Sequence, residues 1–143
     1  MAAMTRRFVH RLRVRYHECD LQGVVFNANY LAYFDIALTE FMRETIGSYQ
    51  RLREGGLDLL VVEASVRFRS PARFDDELDI AFVPAPLGRS SMVSDLQLLR
   101  AGETVAEGRM AHVFVDVEAQ TTVEIPDWVR EAVEPWTATP TGD

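Results

Sequence analysis

Residues 28–46 read ANYLAYFDIALTEFMRETI, and the spacing of their apolar side chains decides what kind of fold surrounds them. Tyr30, Phe34, Ala37, Phe41 and Thr45 form one row, and Leu31, Phe34, Leu38 and Met42 an adjoining one. Asp35, Thr39, Arg43 and Glu44 lie mostly opposite. Steps of three and four predict an amphipathic helix with a wide apolar stripe. Nineteen residues at 1.5 Å each reach roughly 28 Å. Gly47 is a natural stop, and Asn27 or Asn29 a natural N-cap. A helix this broad on its apolar side needs a large partner surface, and the rest of the chain reads as strands.

Upstream, Phe8, His10, Leu12, Val14 and Tyr16 alternate with Arg11, Arg13 and Arg15, the period-2 pattern of a half-buried strand. Downstream, a turn at Gly55–Gly56 precedes Leu59 to Arg69, where Val62, Ala64, Val66 and Phe68 are expected on one face. Pro71 ends that run. Leu78 to Val83 follows, closed by Pro84 and Pro86. Ser90 to Arg100 and Thr104 to Val117 flank Ala101–Gly102 as a long hairpin. Asp127 to Val133 makes a short helix after Pro126, and the tail from Thr137 to Asp143 should fray. Strand, long helix, four strands, short helix is an α+β order with an antiparallel sheet. Sheet edges need covering, and self-association along an edge would cover one.

The 143 residues are expected to form one domain, with its core over about 7–133. Hydrophobic residues make up 48% and charged ones 26%, an ordinary globular balance. No apolar run reaches the roughly 20 residues of a membrane span, and the arginine-studded N-terminus lacks a signal-peptide core; a cytoplasmic protein is expected. The formal charge of −7 gives no general attraction for nucleic acid. All 15 basic residues are arginine, which excludes lysine Schiff bases and a standard Walker A loop. The single cysteine, Cys19, excludes an internal disulfide, and beside Asp20 it is poorly placed to become a thiolate. His10, His17 and His112 lack metal-ligand spacing, and no G-x-S-x-G or G-x-G-x-x-G pattern occurs. No metal and no cofactor is expected.

What remains is the loop before the helix, HECDLQGVVFNAN (17–29). Asp20 can organise a turn through an Asx hydrogen bond, with Gly23 supplying a positive φ. Yet the loop is apolar for a surface turn. It runs directly into a helix N-terminus, where free N–H groups and the dipole favour developing negative charge, and Gly23 permits close approach of a ligand. A carboxylate acting as base or nucleophile, together with helix amides as an oxyanion hole, would make a hydrolytic site.

The stretch RVRYHECDLQGVVFNANYLAYFDIALTEFMRE resembles the signature of the 4-hydroxybenzoyl-CoA thioesterase family of hot-dog-fold proteins. That pattern, roughly D-x-x-G-[IV]-[VI]-[FYW]-x-x-x-Y, is met at Asp20, Gly23, Val24, Val25, Phe26 and Tyr30. Further echoes are FRSPARFDDEL (68–78), LGRSS (87–91) and GRMAHVFVD (108–116) with EIP (124–126). The resemblance implies a hot-dog fold, a long central helix wrapped by a five-stranded antiparallel sheet, and hydrolysis of acyl-CoA thioesters. It assigns catalysis to Asp20 and polarisation of the thioester carbonyl to the Asn27 backbone amide. Asn27 stands where many relatives carry His or Tyr, so the backbone role is what carries over. Active sites at a dimer interface, with dimers pairing into tetramers, are implied as well. For coenzyme A phosphates the matching segment is Arg89, Ser90 and Ser91, with Arg67, Arg69 and Arg73 as further candidates; Tyr30, Phe34 and Val62 are candidates to line an acyl pocket. A carrier-protein thioesterase, or an acyl-CoA-binding module without catalysis, are the other readings of the same residues.

Overall fold

The computed structural model describes residues 6–138. In chain order it contains β1 (Phe8–Arg13), a 3₁₀ turn (Tyr16–Glu18), α1 (Asn29–Ile46), α2 (Gln50–Glu54), β2 (Leu57–Phe68), β3 (Glu77–Pro84), β4 (Ser91–Arg100), β5 (Glu103–Asp116), α3 (Asp127–Val133) and a 3₁₀ turn (Glu134–Trp136). The five strands make one antiparallel sheet in the order β1-β3-β4-β5-β2. The strand–helix–four strands–helix order expected from periodicity is met. Among the described residues no helix is long and apolar enough to cross a membrane.

The apolar stripe of α1 lies on the sheet. Tyr30, Tyr33, Phe34, Ala37, Leu38, Phe41, Met42 and Ile46 are all buried. Phe41 packs against Phe82 of β3 with ring centroids 4.7 Å apart and against Phe8 of β1 at 5.5 Å. Burying each such ring stabilises the fold by about 1.5–3 kcal/mol. Phe34 is fully buried and reaches down to Gly108 in β5, where there is no room for a Cβ. Gly47 ends the helix at φ 93°, a conformation glycine adopts without steric cost.

Four expectations are corrected. Neither asparagine caps α1: the cap position falls to Ala28, which makes no side-chain cap bond, and Asn29 enters the first turn with its side-chain amide donating to the Glu18 carbonyl, 2.8 Å. Tyr16 does not continue the inward row of β1. The strand stops at Arg13 and Tyr16 is 82% exposed. In β2 the register slips between Val61 and Glu63. This bulge changes the parity of the strand, so Val61, opposite His112, shares a face with Ala64, opposite Met110; Val62 is the residue the bulge leaves unpaired, and it is exposed. Finally, the start of the tail is tied down, the Ala138 N–H donating to the Pro84 carbonyl at 2.7 Å, while 139–143 lie outside the described residues.

Candidate active site

The loop between the 3₁₀ turn and α1 is a small closed hairpin. The Phe26 N–H donates to the Glu18 carbonyl (2.9 Å), the Asp20 N–H to Val24 (2.9 Å), and the Gly23 N–H back to Asp20 (2.9 Å). Gly23 takes φ 78°, the left-handed value this turn requires. Asp20 accepts the Gln22 N–H on Oδ1 at 2.8 Å, an Asx turn. That bond fixes the carboxylate and occupies only one of its two oxygens.

Asp20 lines a cleft of ≈ 370 Å³ together with Val24, Val25, Asn27, Tyr30 and Phe68, among others. Its far wall is the segment Arg69 to Pro71. Arg100 anchors that wall, donating to the Pro71 carbonyl (2.9 Å), the Ser70 hydroxyl (3.3 Å) and Asp76 (2.8 Å). Burial raises the Asp76 carboxyl, but the Arg73 N–H and the Arg100 guanidinium outweigh it and hold the group below the usual carboxylate range. The rings of Tyr30 and Phe68 meet edge to face at 5.0 Å, so the cleft has an aromatic side beside its polar one. Burial pushes the Tyr30 phenol up, which keeps it a hydrogen-bond donor.

The opening of α1 borders the same cleft, Asn27 and Tyr30 being among the residues that line it. The N–H groups of Asn29 and Tyr30 are taken by the carbonyls of Phe26 and Asn27, whereas those of Asn27 and Ala28 have no backbone acceptor among the described residues. The first turn carries no acidic side chain, so the positive end of the helix dipole is not neutralised from within.

Of the residues singled out from sequence, Asp20, Asn27 and Tyr30 come together in this cleft, and Gly23 shapes its loop. Phe34 is fully buried in the core. Val62 is exposed on the edge strand, and Arg89, Ser90 and Ser91 lie at the other end of the sheet. Ser91 pairs with Val113, which pairs with Leu60, whereas the cleft begins at Phe68. The Arg89 side chain is 85% exposed, with its guanidinium 3.9 Å from Glu124. Arg69 is paired with Glu107. Sequence reasoning missed Arg100 and Glu18, both of which hold the cleft in shape through contacts distant in the chain. A larger cavity, ≈ 720 Å³, opens against the sheet face bearing Asp95, Gln97, Glu107 and Arg109; it contains none of the residues that line the Asp20 cleft.

A five-stranded antiparallel sheet with one long helix packed on it is the architecture of hot-dog thioesterases. Slr0204 from Synechocystis, a 1,4-dihydroxy-2-naphthoyl-CoA thioesterase, superposes with a TM-score of 0.82 over 89% of this chain and 95% of its own, at 21% identity. The sequence profile of the thioesterase-like superfamily matches residues 14–133. Acyl-CoA thioester hydrolase YbgC of Escherichia coli O6:H1 is 32% identical over 113 residues, 78% of this chain and 84% of the relative. A putative esterase of Aquifex aeolicus is 28% identical over 127 residues, 89% and 98% of the two chains. The chain belongs to the thioesterase-like superfamily, and it is a thioester hydrolase.

Proposed function

We propose that the protein hydrolyses an acyl-CoA thioester in the Asp20 cleft, the acyl carbonyl facing the Asn27 amide at the start of α1. The observation that carries this reading is the shared cleft: Asp20, with one carboxylate oxygen tied by its own turn, and Asn27, whose N–H has no backbone acceptor, both line it. As the carbonyl carbon becomes tetrahedral, its oxygen gains negative charge. A single preorganised N–H there contributes about 3–4 kcal/mol to an acyl transfer. Asp20 serves in one of two ways. As a base it takes a proton from water while the water oxygen bonds to the carbonyl carbon, and collapse expels the coenzyme A thiolate, which then takes up a proton. As a nucleophile it bonds to that carbon itself, expels the thiolate and leaves a mixed anhydride that water cleaves.

The same reading makes α1 the central helix of a hot-dog fold and a second copy of the chain part of the working unit. β2 is an edge strand, with Leu60 45%, Val61 50% and Val62 60% exposed. Antiparallel pairing of two β2 strands about a two-fold axis would extend the sheet through both copies and cover this apolar edge. It would also bring the Phe68 end of one strand beside the Leu60 end of the other. From β2 across to the other copy's β2, β5 and β4 is three strand spacings of about 4.8 Å, so Ser91 would stand on the order of 14 Å from the cleft. Within one protomer Arg89, Ser90 and Ser91 are at the wrong end for the substrate's phosphates; across the pair they are within its reach.

Coenzyme A, rather than a carrier protein, is favoured because YbgC and Slr0204 are named for CoA thioesters. The acyl group is read as an apolar one, from the Tyr30 and Phe68 rings. Asp20→Asn preserves the size of the side chain and should leave the fold intact while lowering kcat on a panel of acyl-CoA thioesters at least a hundredfold. Near-normal turnover by this variant would reject the assignment. Single-turnover hydrolysis in ¹⁸O-labelled water, followed by mass analysis of the Asp20 peptide, tests the nucleophilic route: label enters the carboxylate only if an anhydride forms and water opens it at the Asp20 carbonyl carbon.

A further inference from the structure

We propose that Glu18 is a positioning residue, whose buried carboxylate fixes the Asp20 carboxylate relative to the opening turn of α1. The inference rests on the catalytic reading of Asp20 given above.

Glu18 is the one acidic residue that is buried among the described residues, 7% exposed. A carboxylate in that setting is costly unless donors surround it, and three do. Oε1 accepts the Arg15 N–H at 2.8 Å and the Tyr33 hydroxyl at 2.9 Å, and Oε2 faces the Arg15 guanidinium at 2.8 Å. Tyr33 is itself buried in α1. Its phenol is pushed up by burial and, next, by its bond to Glu18, so it remains the donor. The main chain of Glu18 makes a second pair of ties, its carbonyl accepting both the Phe26 N–H (2.9 Å) and the Asn29 side-chain amide (2.8 Å). Asn29 and Tyr33 are one helical turn apart on α1. Glu18 is therefore bonded twice to the helix, and only Cys19 separates it from Asp20.

The Asp20 hairpin has no comparable side-chain tie to α1. Its own bonds, Asp20 to Val24, Gly23 to Asp20 and Gln22 to Asp20, are internal and set its shape. One further bond, from the Val25 N–H to the Ala72 carbonyl at 2.8 Å, holds it to the chain beyond the far wall. Its ties to the helix start lie where the hairpin closes, at Glu18 and Phe26. A buried charge cluster contributes little net stability compared with an apolar replacement of similar volume. What it supplies here is direction, because Tyr33 and Arg15 accept only one placement of the carboxylate. Misplacing a reacting group by about 1 Å costs on the order of a hundredfold in rate.

A double-mutant cycle on the full-length protein with an acyl-CoA thioester tests this. Glu18→Ala is expected to lower kcat about tenfold or more with KM within about twofold. The same substitution in the Asp20→Asn background should cause no further loss, because the group being positioned is gone. Equal losses in both backgrounds would overturn the proposal and reduce Glu18 to a folding role, and so would an unchanged kcat in Glu18→Ala. Near-normal turnover in Asp20→Asn would instead overturn the catalytic reading of Asp20, and this inference with it. If Glu18→Ala does not fold, Tyr33→Phe carries the same cycle by deleting one hydroxyl, with the same pattern expected and a multiplicative loss again decisive against it.

Discussion

Gly108 offers the sharpest test of how α1 is seated, because the structure states what an added methyl would meet. On β5, Gly108 lies between Val66 of β2 and Leu96 of β4. A Cβ there would stand 2.5 Å from Cε2 and 2.7 Å from Cζ of Phe34, and closer still to the Ser65 carbonyl oxygen. Ordinary carbon–carbon contact is about 3.5–4.0 Å, so the ring would have to retreat by about 1 Å. It cannot do so freely, since Phe34 is fully buried in a close-packed interior. The Ser65 oxygen is backbone of the neighbouring strand and moves only if β2 moves. Backbone conformation is not the obstacle, because Gly108 is not among the glycines at positive φ. Gly108→Ala should therefore cost about 3 kcal/mol, the upper part of the range for overpacking. For a chain of this length that is a fall in Tm of about 6–12 °C. Urea unfolding at fixed protein concentration measures it. Phe34→Leu removes the ring but not the Ser65 contact, so the double variant should be more stable than the sum of the two single changes by about 1 kcal/mol, yet remain below the natural protein. A Gly108→Ala midpoint equal to that of the natural protein, or strictly additive losses, would refute the packing argument.

Two further outcomes are expected. His112 is buried with neither ring nitrogen bonded, and burial holds its pKa below the usual histidine value. As pH falls below about 6.5 the unfolded chain takes up this proton before the folded one does, so stability should fall by up to about 1.4 kcal/mol per pH unit; His112→Leu should flatten the Tm profile between pH 6.5 and 5, and parallel profiles would exclude His112 as the cause. At the β2 edge, Leu60→Asp with Val62→Asp sets like charges against each other across the proposed two-fold axis; sedimentation should show a folded monomer with reduced turnover, and an unchanged assembly would remove β2 from the interface.

The elements most legible in the sequence are those whose periodicity the tertiary structure merely completes. The three-and-four spacing from Tyr30 to Ile46 reappears as the buried stripe of α1, except that Leu31 is left exposed and Tyr33, in neither row, is buried; the alternation in β3 to β5 reappears as one face on the core. α2 escaped because five residues are too short for a period to show; Leu52 anchors it in the core and Arg51 stacks over Trp128 at 4.9 Å, contacts that no local pattern announces. β2 was legible as a strand and misleading about its faces. Leu59 to Val62 are all apolar and the alternation begins only at Val62 and Glu63, so no local pattern marks the one-residue bulge. Nor can alternation reveal that the strand lies at an edge, since that depends on where β5 places it.

For the site, the turn-forming and catalytic readings of Asp20 turn out to require the same geometry. The Asx bond to Gln22 and the positive φ of Gly23 belong to an ordinary tight turn, and by themselves they say nothing of chemistry. They also hold one carboxylate oxygen still, which is what a base or nucleophile beside a helix N-terminus needs. What distinguishes this turn from any other lies in partners remote in sequence. Glu18 reaches Tyr33 fifteen residues on, and Arg100 holds Ser70 and Pro71 from some thirty residues away. A glutamate flanked by His17 and Cys19 in an arginine-rich stretch looks like a solvated charge until α1 folds back over it. On the proposed reading the motif is local because the reacting groups must be neighbours. Its support is distributed, because only contacts between separate elements can stop a short hairpin from swinging against a helix.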